Sequence, residues 1–195
     1  YAKSEWGGEW DAGVGAAVAD SPKGPFTDHG CIINSRKIGV QNSIDPFYIE
    51  DGGHYYLFWG SFHGIYGIEL TADGLTLKPG AKPQKVAGSF MEAAYIQRRG
   101  GYYYLFGSAG TCCEGAKSTY HVTVGRSKNL FGPYVDRKGQ SLLDNHYEVV
   151  LQRNDRVAGP GHNAEIVTDD AGNDFLIYHG FKVDDPDAGR LVWMD

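Results

Sequence analysis

Residues 45–61, Asp-Pro-Phe-Tyr-Ile-Glu-Asp-Gly-Gly-His-Tyr-Tyr-Leu-Phe-Trp-Gly-Ser, align without gaps on residues 92–108, Glu-Ala-Ala-Tyr-Ile-Gln-Arg-Arg-Gly-Gly-Tyr-Tyr-Tyr-Leu-Phe-Gly-Ser. The offset is 47 residues, and Tyr48/Tyr95, Ile49/Ile96, Tyr55/Tyr102, Tyr56/Tyr103 and Ser61/Ser108 coincide. A third copy begins at Asn163-Ala-Glu-Ile-Val, turns at Asp170-Ala-Gly-Asn and resumes at Asp174-Phe-Leu-Ile-Tyr. A second unit also recurs, Asp20-Ser-Pro-Lys-Gly-Pro-Phe26 matching Lys128-Asn-Leu-Phe-Gly-Pro-Tyr134. Each repeat therefore reads as two strands joined by a Gly turn, then two more ending in a Gly-Pro-aromatic turn. Four-stranded units of roughly 45–60 residues are the blades of a β-propeller. Residues 1–40 read as the back half of one blade, 41–87 and 88–158 as complete blades, and 159–195 as the front half of a fourth. A ring needs at least ~4 blades to close. The expected fold is thus all-β, a partial propeller arc of about three blades, filling residues 1–195 with no second domain.

Local patterning agrees. Short apolar runs such as His54–Trp59, Tyr102–Phe106, His121–Gly125 and Phe175–Tyr178 are separated by Gly-Gly, Asp-Gly and Gly-Pro punctuation. No window sustains helical spacing, and polar stretches such as Asn145–Gly161 read as loops. The 28 Gly among 195 residues have no collagen-like period, so they mark turns in a fold rich in Tyr and Phe. A formal net charge of −6 argues against nucleic acid or an anionic membrane as partner. No apolar stretch is long enough to span a membrane, and the opening Tyr-Ala-Lys-Ser-Glu-Trp shows no signal peptide. Cys31, Cys112 and Cys113 fit neither a disulfide framework nor a zinc motif. Three buried thiols is the favoured reading, with a vicinal Cys112–Cys113 disulfide as the alternative in an exported protein.

The first strand of every blade lines a propeller's channel, so the repeat places Asp45, Glu92 and Asn163, with His162 beside it, around one axis. Two facing carboxylates suit glycoside chemistry, in which one carboxylic acid protonates the leaving oxygen and a neighbouring carboxylate raises its pKa. Structural caps at strand starts are the plainer alternative. Tyr55, Tyr56, Tyr102 and Tyr103 read as packing between blades.

The run Thr111-Cys-Cys-Glu-Gly-Ala-Lys-Ser-Thr-Tyr-His-Val-Thr-Val-Gly-Arg-Ser127, followed by Phe131-Gly-Pro-Tyr-Val-Asp136, resembles the endo-α-1,5-L-arabinanases of glycoside hydrolase family 43. Ser43-Ile-Asp-Pro46, Trp59-Gly-Ser-Phe62, Met91-Glu-Ala93 and Gly159-Pro-Gly-His-Asn163 extend the resemblance over the whole chain. It implies a five-bladed propeller and an inverting hydrolase of arabinan, monomeric when complete and extracellular or periplasmic. By the same resemblance Glu92 is the general acid and Asp45 the auxiliary carboxylate. His162 is implied as the axial ligand of a calcium ion held mostly by water, the alternative being a hydrogen-bonded loop histidine.

The family's general base lies in an Asp-Pro motif opening the first blade, which would precede Tyr1, so the chain by itself is expected to be inactive. For substrate contacts, Phe62 is either a stacking platform or a core aromatic, with His63 beside it; Thr111, Ser118 and Asn163 are further candidates, and Arg190 resembles a position near the cleft. Exo-acting arabinofuranosidase or xylosidase action, or glycan binding without cleavage, are the rival readings.

Overall fold

The computed structural model describes residues 1–3 and 8–195. They build four antiparallel sheets in chain order. The first contains β1 (Ala2–Lys3), β2 (Gly13–Val18) and β3 (Thr27–Asn34). The second runs β4 (Phe47–Asp51), β5 (His54–Trp59), β6 (Ile65–Glu69) and β7 (Gln84–Ala87). The third runs β8 (Met91–Arg99), β9 (Tyr102–Ala109), β10 (His121–Ser127) and β11 (Glu148–Leu151). In the fourth, β12 (Val157–Gly161) and β13 (Ile166–Thr168) both pair with β14 (Asp174–Lys182), and β15 (Arg190–Met194) lies on its other side. No helix among the described residues is long and apolar enough to cross a membrane.

Strand order is sequential in the first three sheets, and successive sheets pack face to face through apolar layers. Val14 and Ile33 of the first sheet meet Leu57, Trp59 and Ile68 of the second. Phe58 and Ile65 meet Ile96 and Leu105 of the third, with Leu142 from the connection between β10 and β11. Tyr95, Phe106 and Val122 meet Ile166 and Leu176 of the fourth. Burying each such side chain stabilises by ~1.5–3 kcal/mol, so these layers hold the arc together. Polar ties add to them at the inner hairpins. Tyr103 donates to Asp51 at 2.8 Å across the second and third sheets, and Arg99 pairs with Asp174 across the third and fourth.

The register corrects the repeat by one residue. Phe47 faces Phe58 and Asp51 faces His54, whereas Tyr95 faces Phe106 and Arg99 faces Tyr102, so equivalent positions lie 48 apart, not 47. The turns decide this. Gly52 and Gly53 (φ 61° and 78°) and Gly100 and Gly101 (φ 58° and 77°) are two-residue hairpin turns with both centres left-handed, the geometry that suits strand twist. Leu57 then matches Leu105, and Phe58 matches Phe106, which explains why each pair serves consecutive blade interfaces.

Other expectations need revision. Asn145–Gly161 is no continuous loop, because it contains β11 and β12; the fourth sheet accordingly begins at Val157 rather than 159. The first and fourth sheets are each more than half a blade. Cys112 and Cys113 form the vicinal disulfide, and Cys31 is exposed rather than buried. Tyr102 packs beneath Arg126 of its own sheet and Lys128 just beyond it, not between blades, because it sits at the turn end of its hairpin.

Candidate active site

In the second, third and fourth sheets a non-glycine residue in or beside the inner strand adopts a left-handed conformation. These are Asp45 (φ 55°) before β4, Ala93 (φ 57°) in β8 and His162 (φ 47°) between β12 and β13. Phe62 (φ 52°) adjoins them. Left-handed backbone at a residue with a side chain costs roughly 1–3 kcal/mol, and such strain gathers where a site imposes it. Asp45 and Ala93 are equivalents under the 48-residue offset, so Glu92 stands one residue ahead of the point Asp45 occupies. The longer glutamate side chain spans the difference. One ligand atom each from Asp45, Glu92 and His162 lies within 4.8 Å of the others, the one such cluster among the described residues.

The two carboxylates are held differently. Asp45 Oδ2 accepts the Ala93 N–H at 3.2 Å. Glu92 Oε2 accepts from the Ser61 hydroxyl at 2.7 Å and Oε1 from the Tyr120 hydroxyl at 2.6 Å. Burial pushes the pKa of Asp45 up, opposed by His162 and reinforced by the charge of Glu92. Burial, with the charge of Glu92, also drives the Tyr120 phenol far above its ordinary value, so it stays protonated as a donor. The His162 N–H donates to Ser108 Oγ at 2.8 Å. His179 lies 5.9 Å, centroid to centroid, from both the Tyr120 and His162 rings. Burial lowers its pKa to about 4, leaving a neutral imidazole at pH 7.

The donor set fits a hard divalent cation held largely by water. His162 is exposed, two carboxylates supply negative charge, and the buried Oδ1 of Asn163 lacks a protein partner. Both oxygens of Glu92 are already engaged by hydroxyls, which leaves His162 and Asp45 as the freer donors. Asp45, His162 and Asn163 lie along a channel of about 670 Å³ that continues past Glu50, Gln97 and Arg98.

The remaining candidates divide. Phe62 is 37% exposed and its N–H donates to the Met91 carbonyl, next to Glu92, so its ring is not a core aromatic. His63 is occupied by Glu9 at 2.9 Å. Ser118 is buried and accepts from the Glu114 N–H, and the Thr111 hydroxyl bonds Glu114 and Thr119. Those two hydroxyls brace the loop carrying the disulfide, with Thr111 exposed and Ser118 buried. Asn163 is buried and donates to its neighbour's carbonyl. Arg190 reaches Cys113 Sγ at 3.9 Å. The functional groups missed from sequence are Ser61, Ser108, Tyr120 and His179. Ser61 and Ser108 were visible as coincident repeat positions, and Tyr120 lay within the arabinanase-like run; their roles were not.

A profile of glycosyl hydrolases family 43 matches residues 1–195. The chain belongs to that family. Among its relatives, the extracellular exo-α-(1→5)-L-arabinofuranosidase ArbA of Cellvibrio japonicus is 36% identical, over 85% of this chain and 52% of its own length. The extracellular endo-α-(1→5)-L-arabinanase 1 of Bacillus subtilis is 34% identical over 100% of this chain and 60% of its own. The α-L-arabinanase of Cellvibrio cellulosa, solved with arabinohexaose, superposes with a TM-score of 0.88 at 30% identity, covering 100% of this chain and 67% of that one. The family 43 chain described here thus spans between about half and two thirds of these relatives.

Proposed function

We propose that this chain carries the acid side of an inverting hydrolase of α-1,5-linked L-arabinan. The observation that supports it is the convergence of Asp45, Glu92 and His162 from three successive inner strands to within 4.8 Å. Glu92 protonates the departing glycosidic oxygen as the bond to the anomeric carbon breaks, and water enters from the opposite face of the sugar. Inverting acid–base pairs stand roughly 6.5–9.5 Å apart to admit that water; an oxygen of Asp45 lies within 4.8 Å of one of Glu92, a spacing that suits a supporting carboxylate better than the base. Asp45 therefore serves as the auxiliary carboxylate beside Glu92, and the base is a further carboxylate from a first-blade Asp-Pro motif. His162, with Asp45 beside it, would hold a divalent cation such as calcium, which would supply positive charge beside the carboxylates. Phe62 offers a face for a furanose ring. The names of both relatives and the Cys112–Cys113 disulfide support an extracellular, oxidising location. Relatives carry both endo and exo names; internal cleavage, releasing short oligosaccharides, is the reading we adopt.

In the full natural protein, Glu92→Gln should lower turnover of linear arabinan by about 10²–10⁴-fold, the range a general acid contributes, while binding persists. Near-normal turnover by that variant would remove Glu92 from the role.

A further inference from the structure

Resting on that reading, we infer that Tyr120 is the positioning residue of the acid: it fixes Oε1 of Glu92 as a hydrogen-bond acceptor, so that Oε2 is the oxygen that carries and delivers the proton. The two hydroxyls on Glu92 differ in kind. Ser61 holds Oε2 at 2.7 Å with a rotor that turns freely between donating and accepting. Tyr120 holds Oε1 at 2.6 Å, and its O–H is conjugated with the ring and so confined near the ring plane. The ring itself has no freedom. Tyr120 is 1% exposed. One face lies at 5.9 Å from His179, nearly parallel at 15°. The ring also rests on the backbone of β12, where a Cβ built on Gly161 would fall inside it and one on Gly159 would strike Ser118. The Gly159-Pro-Gly161 sequence is thus bare where the tyrosine needs space. Its backbone is fixed as well, because the Tyr120 N–H donates to the Thr111 carbonyl at 3.1 Å, closing the loop that holds the disulfide.

A buried phenol pinned on its ring face, its backbone and its neighbouring strand orients a carboxyl more tightly than a serine rotor does. The consequence is specific to acid-assisted departure. A leaving group that needs no proton should be indifferent to it.

The test compares two substrates in the full natural protein: linear arabinan, whose departing sugar oxygen needs a proton, and an α-1,5-arabinotrioside of 4-nitrophenol, whose nitrophenolate leaves unaided. Tyr120→Phe should lower kcat on arabinan about 10- to 100-fold with KM unchanged, the range set by one hydrogen bond to a charged group. On the nitrophenyl substrate the loss should stay below about 3-fold. Gly161→Ala, which keeps the hydroxyl but displaces the ring, should reproduce the same selective loss. Equal losses on both substrates, or no loss on arabinan, would overturn the assignment. Glu92→Gln run alongside separates the two readings: if it is silent on arabinan while Tyr120→Phe is not selective, only the role of Tyr120 falls. If Glu92→Gln turns arabinan over normally, the acid assignment falls first.

Discussion

The second and third sheets share a hairpin turn, a register and an apolar layer, yet they present their carboxylates from positions one residue apart. Asp45 sits at the left-handed residue itself and takes a backbone N–H; Glu92 precedes that point and takes two side-chain hydroxyls. In a regular strand a one-residue shift sends a side chain to the opposite face. Here the register shift between Glu92 and Tyr95 absorbs the difference, and the extra methylene of glutamate closes the remaining gap. The scaffold supplies place, and side-chain length and partners supply role. The serines follow suit. Ser61 of the second sheet serves Glu92 of the third, and Ser108 of the third serves the backbone of His162 in the fourth.

Three measurements would break or sharpen that comparison. The largest effect is expected where the sheets are most alike: Leu57→Ala and Leu105→Ala, at equivalent positions in consecutive interfaces, should each cost about 2–5 kcal/mol in guanidinium unfolding. A cost at only one site would mean that the interfaces are not equivalent. Next, Glu92→Asp restores the shorter side chain at the shifted position. Misplacement by about 1 Å costs on the order of 10²-fold, so kcat on linear arabinan should fall by that factor although the acid group remains. Activity within a few-fold of the parent would show that length does not compensate for register. The smallest effect separates the serines. Ser108→Ala leaves the His162 N–H without its partner and should destabilise by about 1–3 kcal/mol. Ser61→Ala should change stability less and lower kcat instead, so a larger stability loss for Ser61→Ala would reverse their assigned roles.

Much of this was legible beforehand because propeller repeats write their turns and inner strands into the sequence. The four-sheet division, the innermost strands and the trio Asp45, Glu92 and His162 all followed from the repeat and the family resemblance. The one-residue error arose because matching acidic residues and serines outweighed the glycine pairs that set the register. β11 and β12 were hidden in a stretch containing Asn154-Asp-Arg and Gly159-Pro-Gly, whose turn residues mask short strands. Tyr120 and His179 act through burial and stacking across sheets, and no local pattern encodes such contacts. The burial of Ser118 is equally invisible locally: it stands near the disulfide in sequence, yet it is buried and its hydroxyl accepts from the Glu114 N–H.

The site lies on the strands nearest the axis, and this has a mechanical consequence. When one wedge rocks against the next, displacement grows with distance from the pivot, so β7 and β11 at the outer edges of their sheets travel furthest and β4 and β8 at the inner edges least. A rotation of one wedge about the axis therefore moves Glu92 less than it moves the periphery. The outer strands and their loops can vary in length and composition while the innermost atoms keep their spacing.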